Sequence, residues 1–307
     1  MSRISGRAFA KVNLGLRILD RRPDGFHELR TVYQTISLAD RIELTWTPGR
    51  AGKIVLRCNR KELETPDNLV VRAAEALLQR TGSRGDLHIS LRKQVPEGAG
   101  LGGGSSDAAA ALTGLSRLLN RPQPPEVLTE IAAGLGSDVP FFLQGGRAVG
   151  VSRGEEVYPL PEPPREWLLL LAPYVHSSTP EAYRDLAKAR QGSLTPLDKP
   201  RIINVFGSGI GVPGGRAAQS PAGALANDFE ETIFRRFPKL AVLKSRLIKV
   251  GARDSALSGS GAALFGLFAT RRAAEDARDG LGKVEADVFV VSTVTRRQCA
   301  AAWRQSG

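Results

Sequence analysis

Cysteine, histidine and methionine are scarce in this 307-residue chain, which has two, three and one of them. Cys58 and Cys299 lie far apart in a large chain, so neither a disulfide framework nor a metal cluster is indicated, and both read as packed or partly exposed thiols. Long hydrophobic runs are missing as well. No apolar stretch approaches the roughly 18 residues that a membrane span requires, and the first residues, MSRISGRAFAKVN, hold no uninterrupted apolar core of the kind a signal peptide has. No membrane partner is expected, and a cytoplasmic location is the default. Two nucleotide signatures are absent too. Gly52-Lys53 and Gly282-Lys283 are followed by Ile54 and Val284, so there is no P-loop, and no protein-kinase motif occurs.

What is present is the composition of an ordinary folded protein, with 42% hydrophobic and 24% charged residues. The length allows two lobes, each with its own core. A net charge of +12 and a pI near 10.2 admit an anionic partner, either a nucleic acid or a phosphorylated small molecule. Because the arginines are spread along the chain, a generally basic surface explains them equally.

Patterning makes the N-terminal half rich in strands. Ala10, Val12, Leu14, Leu16 and Ile18 alternate with Lys11, Asn13, Gly15 and Arg17, the period of a strand with one buried face, which puts Lys11 and Asn13 together on the other. A turn at Arg22-Pro23-Asp24-Gly25 precedes strand-like runs at Arg41 to Thr47, Lys53 to Cys58 and Leu87 to Lys93. The segment Thr65-Pro66-Asp67-Asn68 predicts a helix start, with Leu69, Ala73, Leu77 and Leu78 on one face and Gly82 ending the run. Pro159, Pro161, Pro163 and Pro164 can neither continue a helix nor join a central strand, so the chain divides there into lobes of residues 1–158 and 165–307. Beyond lie predicted strands at Trp167 to Ala172, Ala262 to Phe268 and Ala286 to Val294, helices from Asp228 onward, and a Gly/Pro-rich excursion from Gly207 to Gly223 that reads as a mobile surface loop.

The run with most chemistry is Pro96-Glu97-Gly98-Ala99-Gly100-Leu101-Gly102-Gly103-Gly104-Ser105-Ser106, followed by Asp107 and a helix with Leu112, Leu115, Leu118 and Leu119 on one face. Glycines let backbone N–H groups approach an anion, and a helix start adds unpaired donors, so the loop suits phosphates. Ser105 and Ser106 can cap the helix, contact phosphate or reach a phosphate-bound Mg²⁺. Gly98, Gly100 and Gly103 also satisfy G-x-G-x-x-G, yet the loop follows several strands and does not open a first βαβ unit, which argues against a dinucleotide fold.

Taken with Ala10-Lys11-Val12-Asn13-Leu14, Asp24-Gly25-Phe26-His27-Glu28-Leu29, Gly136-Ser137-Asp138-Val139-Pro140, Asn227-Asp228-Phe229-Glu230 and Leu257-Ser258-Gly259-Ser260-Gly261-Ala262, this loop resembles the GHMP kinases over most of the chain. The resemblance implies an α+β fold, with an N-terminal domain like ribosomal protein S5 domain 2, a ferredoxin-like C-terminal domain and a substrate cleft between them. It implies ATP with Mg²⁺, transfer of phosphate to a small-molecule alcohol, Asp138 as base and Lys11 as its partner, and residues 96–106 around the nucleotide. No Mg²⁺ ligand is assigned. On sequence alone Asp138 is equally read as a helix cap and Lys11 as a solvated strand residue. The same resemblance implies that His27 reads a cytosine edge, with Asn13, Phe26, Tyr33, Thr179 and Tyr183 as further substrate contacts. Phe26 stands where many relatives have tyrosine. A monomer or homodimer is expected, without nucleic acid. Two alternatives stay open: a GHMP kinase for another alcohol, of the mevalonate or homoserine type, and an RNA-binding protein whose glycine loop meets backbone phosphate.

Overall fold

The computed structural model describes residues 1–50, 52–119, 123–190 and 225–306, so the excursion from Gly207 to Gly223 lies outside the described residues. The chain opens with two long antiparallel strands, β1 (Ser2–Arg21) and β2 (His27–Pro48), joined through the predicted turn. Of β2 only Arg41 to Thr47 reads as a strand in the sequence, because the mixed polarity from His27 to Gln34 hides its start. β3 (Ile54–Cys58), α1 (Leu69–Thr81) and β4 (Gly85–Arg92) follow. The local signals of α1 act as expected: the Asn68 side chain accepts from the Val70 N–H, and Gly82 closes the helix in the left-handed region. Then come α2 (Gly103–Leu118), α3 (Pro125–Leu135), α4 (Val139–Gln144), β5 (Arg147–Val151) and β6 (Glu156–Pro159). The first sheet runs β12-β1-β2-β4-β3, with β5 also paired to β2 and β6 to β5; β12 (Arg304–Ser306) returns from the far end of the chain.

A second sheet starts at Trp167, in the order β11-β7-β10-β9. Its strands are β7 (Trp167–Pro173), β9 (Ser255–Leu257), β10 (Leu264–Phe268) and β11 (Ala286–Ser292), all antiparallel. Around it lie α5 (Thr179–Arg190), the two-residue strand β8 (Ala226–Asn227), α6 (Glu230–Arg236), α7 (Pro238–Lys249), α8 (Arg271–Gly280) and α9 (Arg296–Ala300). No helix among the described residues is long and apolar enough to cross a membrane.

Three apolar clusters hold these layers. One face of the first sheet, with Ile42, Leu44, Leu87 and Ile89, packs on α1 and α2 through Leu77, Leu112 and Leu115. A second cluster fills the second lobe around Leu169, Leu171 and Leu247. The third joins the lobes, with Ala10, Val12, Leu14 and Ile36 against Leu168, Leu170 and Phe265. Burial of one such side chain contributes roughly 1.5–3 kcal/mol. This third cluster corrects the reading of β1. Residues 8–16 are all buried, Lys11 and Asn13 included, because the strand is covered from both sides. Alternation records side-chain polarity; it does not tell whether the polar face meets water or more protein. The β1–β2 register shifts between Phe9 and Lys11 and again between Asn13 and Gly15, and such irregularities re-aim side chains beside a site.

Candidate active site

A cleft of about 1050 Å³ lies where the glycine-rich loop, the middle of β1 and the start of α5 meet. Gly98, Gly100 and Gly102 take φ of +63°, +76° and +70°, while Ala99 and Leu101 between them are buried. Left-handed glycines alternating with inward apolar residues lay the loop against the protein. Its carbonyls turn inward as well. Ala99 O accepts from the Ala263 N–H, Leu101 O from the Lys11 N–H at 3.0 Å, and Gly100 O from the Ser258 hydroxyl at 2.9 Å. No side chain caps α2 at Gly102, so the N–H groups of its first turn keep the donor capacity of any helix start.

Two expectations about the loop are corrected. Ser106 is buried, and its hydroxyl donates to Phe9 O at 2.7 Å, away from the cleft that Ser105 lines. Neither serine caps the helix, because Gly103 and Gly104 are already helical and shift its start toward the loop.

Lys11 links this loop to the carboxylate of Asp138. Its ammonium donates to Asn13 Oδ1 at 2.7 Å and Gly100 O at 3.0 Å, and lies 3.5 Å from Asp138 Oδ2. Asn13 is oriented in turn by donating to Thr31 Oγ1 at 2.7 Å, and the Thr31 hydroxyl donates to Gly15 O at 2.8 Å. Asp138 precedes α4, but its side chain makes no capping hydrogen bond, so the cap reading fails. Its Oδ1 accepts from the Tyr33 hydroxyl at 3.0 Å. Burial, and then the Asp138 charge, push the Tyr33 phenol well above its ordinary pKa and keep it a donor.

Tyr33 is therefore not an open aromatic wall. Its ring is buried and stacked on Phe141, with centroids 4.7 Å apart, and the hydroxyl is the group it turns toward Asp138. Tyr183 and His27 stack on one another across the lobes, with centroids 5.1 Å apart and planes 18° from parallel. A base could enter between them only if they parted, so the pair as it stands offers its outer faces and edges. Burial, then Asp138, raise the Tyr183 phenol to about 12. Phe26 is 53% exposed at the cleft rim, beneath the Arg153 guanidinium. The Thr179 hydroxyl lies 2.7 Å from Ser260 Oγ, in the second glycine turn. That turn braces the loop: a Cβ on Gly100 would meet Ser258 O at 2.2 Å. Asn227 holds the turn through the carbonyls of Leu257 and Gly259, and Asp228 accepts from Arg17 and the Ile18 N–H, so this motif clamps β1 to the second lobe.

Beneath the loop lies a charged triad that sequence reasoning missed. Lys93 Nζ donates to Asp40 Oδ2 at 2.5 Å and Asp107 Oδ2 at 2.7 Å, and all three side chains are buried. Asp40 Oδ1 also accepts from the Gln94 and Val95 N–H groups, whereas Asp107 Oδ1 has no partner. Burial raises the Asp107 carboxyl to about 8; Lys93 opposes this and the Asp40 charge reinforces it. For Lys93 burial works against the charge, but the two carboxylates outweigh it and the net direction is upward. Only the lone position of Lys93 at the end of an alternating strand, and Asp107 directly after the serines, hinted at this network.

A glycine loop opening a helix, a lysine bridging it to a carboxylate, and an aromatic-lined cleft between two α+β lobes define a small-molecule phosphotransferase. The chain matches the family models for the GHMP kinases N-terminal domain over residues 68–146 and the GHMP kinases C-terminal region over residues 216–287. It is 46% identical to a 4-diphosphocytidyl-2-C-methyl-D-erythritol kinase of Solibacter usitatus (strain Ellin6076), over 98% of this chain and 92% of that one. It is 41% identical to the enzyme of the same name from Desulfitobacterium hafniense (strain Y51), over 87% and 88%. The crystal structure of a 4-(cytidine 5'-diphospho)-2C-methyl-D-erythritol kinase superposes with a TM-score of 0.75 at 34% identity, covering 94% of this chain and 98% of that one. A homoserine kinase from Cytophaga hutchinsonii superposes at 0.76 with 18% identity, covering 99% and 97%, a likeness of fold alone. The chain belongs to the 4-diphosphocytidyl-2-C-methyl-D-erythritol kinase family of GHMP kinases, whose phosphoryl donor is ATP.

Proposed function

We propose that this protein transfers the γ-phosphate of ATP to the 2-hydroxyl of 4-diphosphocytidyl-2-C-methyl-D-erythritol, a step toward isoprenoid precursors by the non-mevalonate route. The observation that carries this reading is the Lys11 ammonium, which touches the loop at Gly100 O and faces Asp138 3.5 Å away. One cation thus connects the phosphate wall to the carboxylate. Asp138 takes the proton from the acceptor hydroxyl, Tyr33 holds one of its oxygens, and Lys11 stabilises charge on the transferring group. Residues 96–105 surround the phosphates, with backbone N–H groups available from Glu97 onward. Asn13, Phe26, His27, Thr179 and Tyr183 take the acceptor, with His27 at the cytosine edge.

Among the described residues no group of three or more His, Cys, Asp or Glu side chains could hold a metal ion. Ser105 and Glu97 are cleft oxygen donors that would hold Mg²⁺ with the phosphates, and the ion would neutralise charge on the β- and γ-oxygens. We take residues 1–158 and 165–307 as the two domains, with the last strand, Arg304–Ser306, crossing back to pair with β1 in the first lobe, a monomer or homodimer as the working unit, and the cytoplasm as its place.

The test is a phosphoryl-transfer assay with cytidyl and uridyl acceptors. Uracil presents a carbonyl and an N–H where cytosine has an amino group and a ring acceptor, a mismatch that leaves buried groups unpaired. Wild-type kcat/KM is expected to favour the cytidyl acceptor by roughly ten- to hundredfold. His27→Ala should erode that preference, whereas Tyr183→Ala should weaken both acceptors alike, because stacking does not discriminate edges. Equal use of both acceptors by the wild type would assign the chain to a different alcohol.

A further inference from the structure

A second concave site lies outside the cleft, on the face of the first sheet that carries no helix. Ile42, Leu44, Ile89 and Leu91 point to α1 and α2, so Arg41, Glu43, Ser90 and Arg92, alternating with them, point the other way. There they floor a cavity of about 920 Å³, walled by the end of β11 and by α9. The β-register sets Arg7 directly opposite Arg41, and Arg41 directly opposite Arg92, so three guanidiniums stand in a row across β1, β2 and β4. Arg304 enters from β12, opposite Ser5, and Arg165 from the segment between the sheets. Like charges paired directly across strands are destabilising. No carboxylate among the described residues forms an ion pair with Arg7, Arg41, Arg92, Arg165 or Arg304, and Glu43, the acidic residue lining the cavity, is paired with Arg3.

Arg7 is held in place. Its Nη2 donates to Ser37 O at 2.7 Å, and its guanidinium lies over the Phe9 ring, 4.7 Å from the centroid. Burial and the neighbouring Arg41 lower its pKa, the sign of a cation crowded by another cation. Elsewhere on the chain Arg17, Arg22, Arg147, Arg153 and Arg253 each have a carboxylate partner. The groove therefore combines a volume suited to a small ligand with a repulsion that only an anion relieves.

We propose that this groove is a second anion site, distinct from the cleft, which takes a small diphosphate-bearing molecule through Arg41 and Arg92, with Arg7, Arg165 and Arg304 around them. Guanidinium forks match phosphate oxygens bidentately, and a row of them spans more than one phosphate. A small ligand fits better than nucleic acid: the site is enclosed on one side by the second lobe, and its one aromatic, Phe9, is 8% exposed and covered by Arg7, so no base can stack there.

The probe is inorganic diphosphate, titrated calorimetrically into the full chain saturated with both a non-hydrolysable ATP analogue and the cytidyl acceptor, so that the nucleotide and acceptor parts of the cleft are filled. One further equivalent is expected to bind, weakened about ten- to hundredfold by Arg41→Gln and lost in Arg41→Gln/Arg92→Gln. Both variants should keep phosphoryl transfer, and the double variant should have a higher Tm than the wild type without ligand, because the repulsion is gone. Arg165→Gln, outside the sheet, weakens binding without touching the strands and serves if the sheet variants do not fold. No binding to the saturated enzyme, or binding indifferent to Arg41, Arg92 and Arg165, overturns the proposal. So does a structured RNA that displaces diphosphate with a steep salt dependence, which would make the groove a nucleic-acid surface.

Discussion

Lys11 and Arg7 stand four residues apart on one strand and live in opposite electrostatic settings. The Lys11 side chain is 4% exposed and is met by Asn13, Gly100 O and Asp138, each held by further contacts. Arg7 looks across its strand pair at Arg41, and Arg41 looks at Arg92. In the cleft the partners of the cation are supplied by the protein, so its position is set before any substrate arrives, as electrostatic preorganisation requires. In the groove no carboxylate among the described residues pairs with these arginines, so their field extends into solvent, where it attracts an anion. A charge meant to act on a reacting atom is fixed by its neighbours; one meant to collect a ligand is left short of them.

The largest expected effect breaks the cleft side of this contrast. Asp138→Asn should lower kcat by on the order of 10²–10⁴ with a much smaller change in acceptor affinity, and Lys11→Met should act in the same sense. Since the two groups form one charged unit, the double variant should be barely slower than the poorer single one in single-turnover kinetics; fully additive losses would mean separate roles. Tyr33→Phe, which removes the donor to Asp138, should cost about tenfold. Arg41→Gln should leave the same rates unchanged.

A second experiment uses the buried triad, in which, unlike the groove, the cation is matched by carboxyl groups and closed to water. With the Asp107 carboxyl raised to about 8, the folded state holds a proton that the unfolded chain has released from pH ~4 upward. Its contribution is then complete below the unfolded pKa and is lost as pH rises through about 8. Urea unfolding between pH 5 and 8.5 should show stability declining as pH rises in the wild type. Asp107→Asn, a neutral isostere, should flatten that decline. The groove variants should not change its slope, because the charges that act on Asp107 are those of Lys93 and Asp40. An identical slope in wild type and Asp107→Asn would remove Asp107 as its source.

The smallest effect compares two glycines of one loop. Both Gly98 and Gly100 have positive φ, so a Cβ strains either. At Gly98 that Cβ would meet the His176 ring at 3.3 Å, a side chain able to move; at Gly100 it would meet the Ser258 carbonyl at 2.2 Å, which is backbone. Gly100→Ala should therefore weaken ATP binding by about tenfold or more, and Gly98→Ala by only a few-fold. Nucleotide titration of both variants checks the order, and the reverse order would show that the second glycine turn does not support the loop. Gly103→Val acts differently from either, since Gly103 is the first helical residue and its Cβ would press on Val95 and Lys93.

What the sequence determined by itself is local or repetitive. Asn68 and Gly82 bound α1 because a cap and a left-handed stop act within a few residues. Gly98, Gly100 and Gly102 mark a tightly turned loop because only glycine takes the left-handed conformation cheaply, and the scattered motifs jointly identify the family. Alternation placed Lys11 and Asn13 on one face, but could not tell that the face is buried. Tertiary structure alone decided the pairings. Tyr33 reaches Asp138 across 105 positions, and Lys93 reaches Asp40 across 53. His27 stacks on Tyr183 only because the two lobes meet. Ser106 turns inward because α2 begins at Gly103 and carries that hydroxyl toward Phe9 O. The row Arg7, Arg41 and Arg92 exists only in the strand register, which a shift of one residue would dissolve by turning every side chain to the other face. Propensity and turn chemistry act along the chain, whereas charge, burial and stacking act through space. The fold was therefore legible early, and the partners of each functional group only once the strands had been paired.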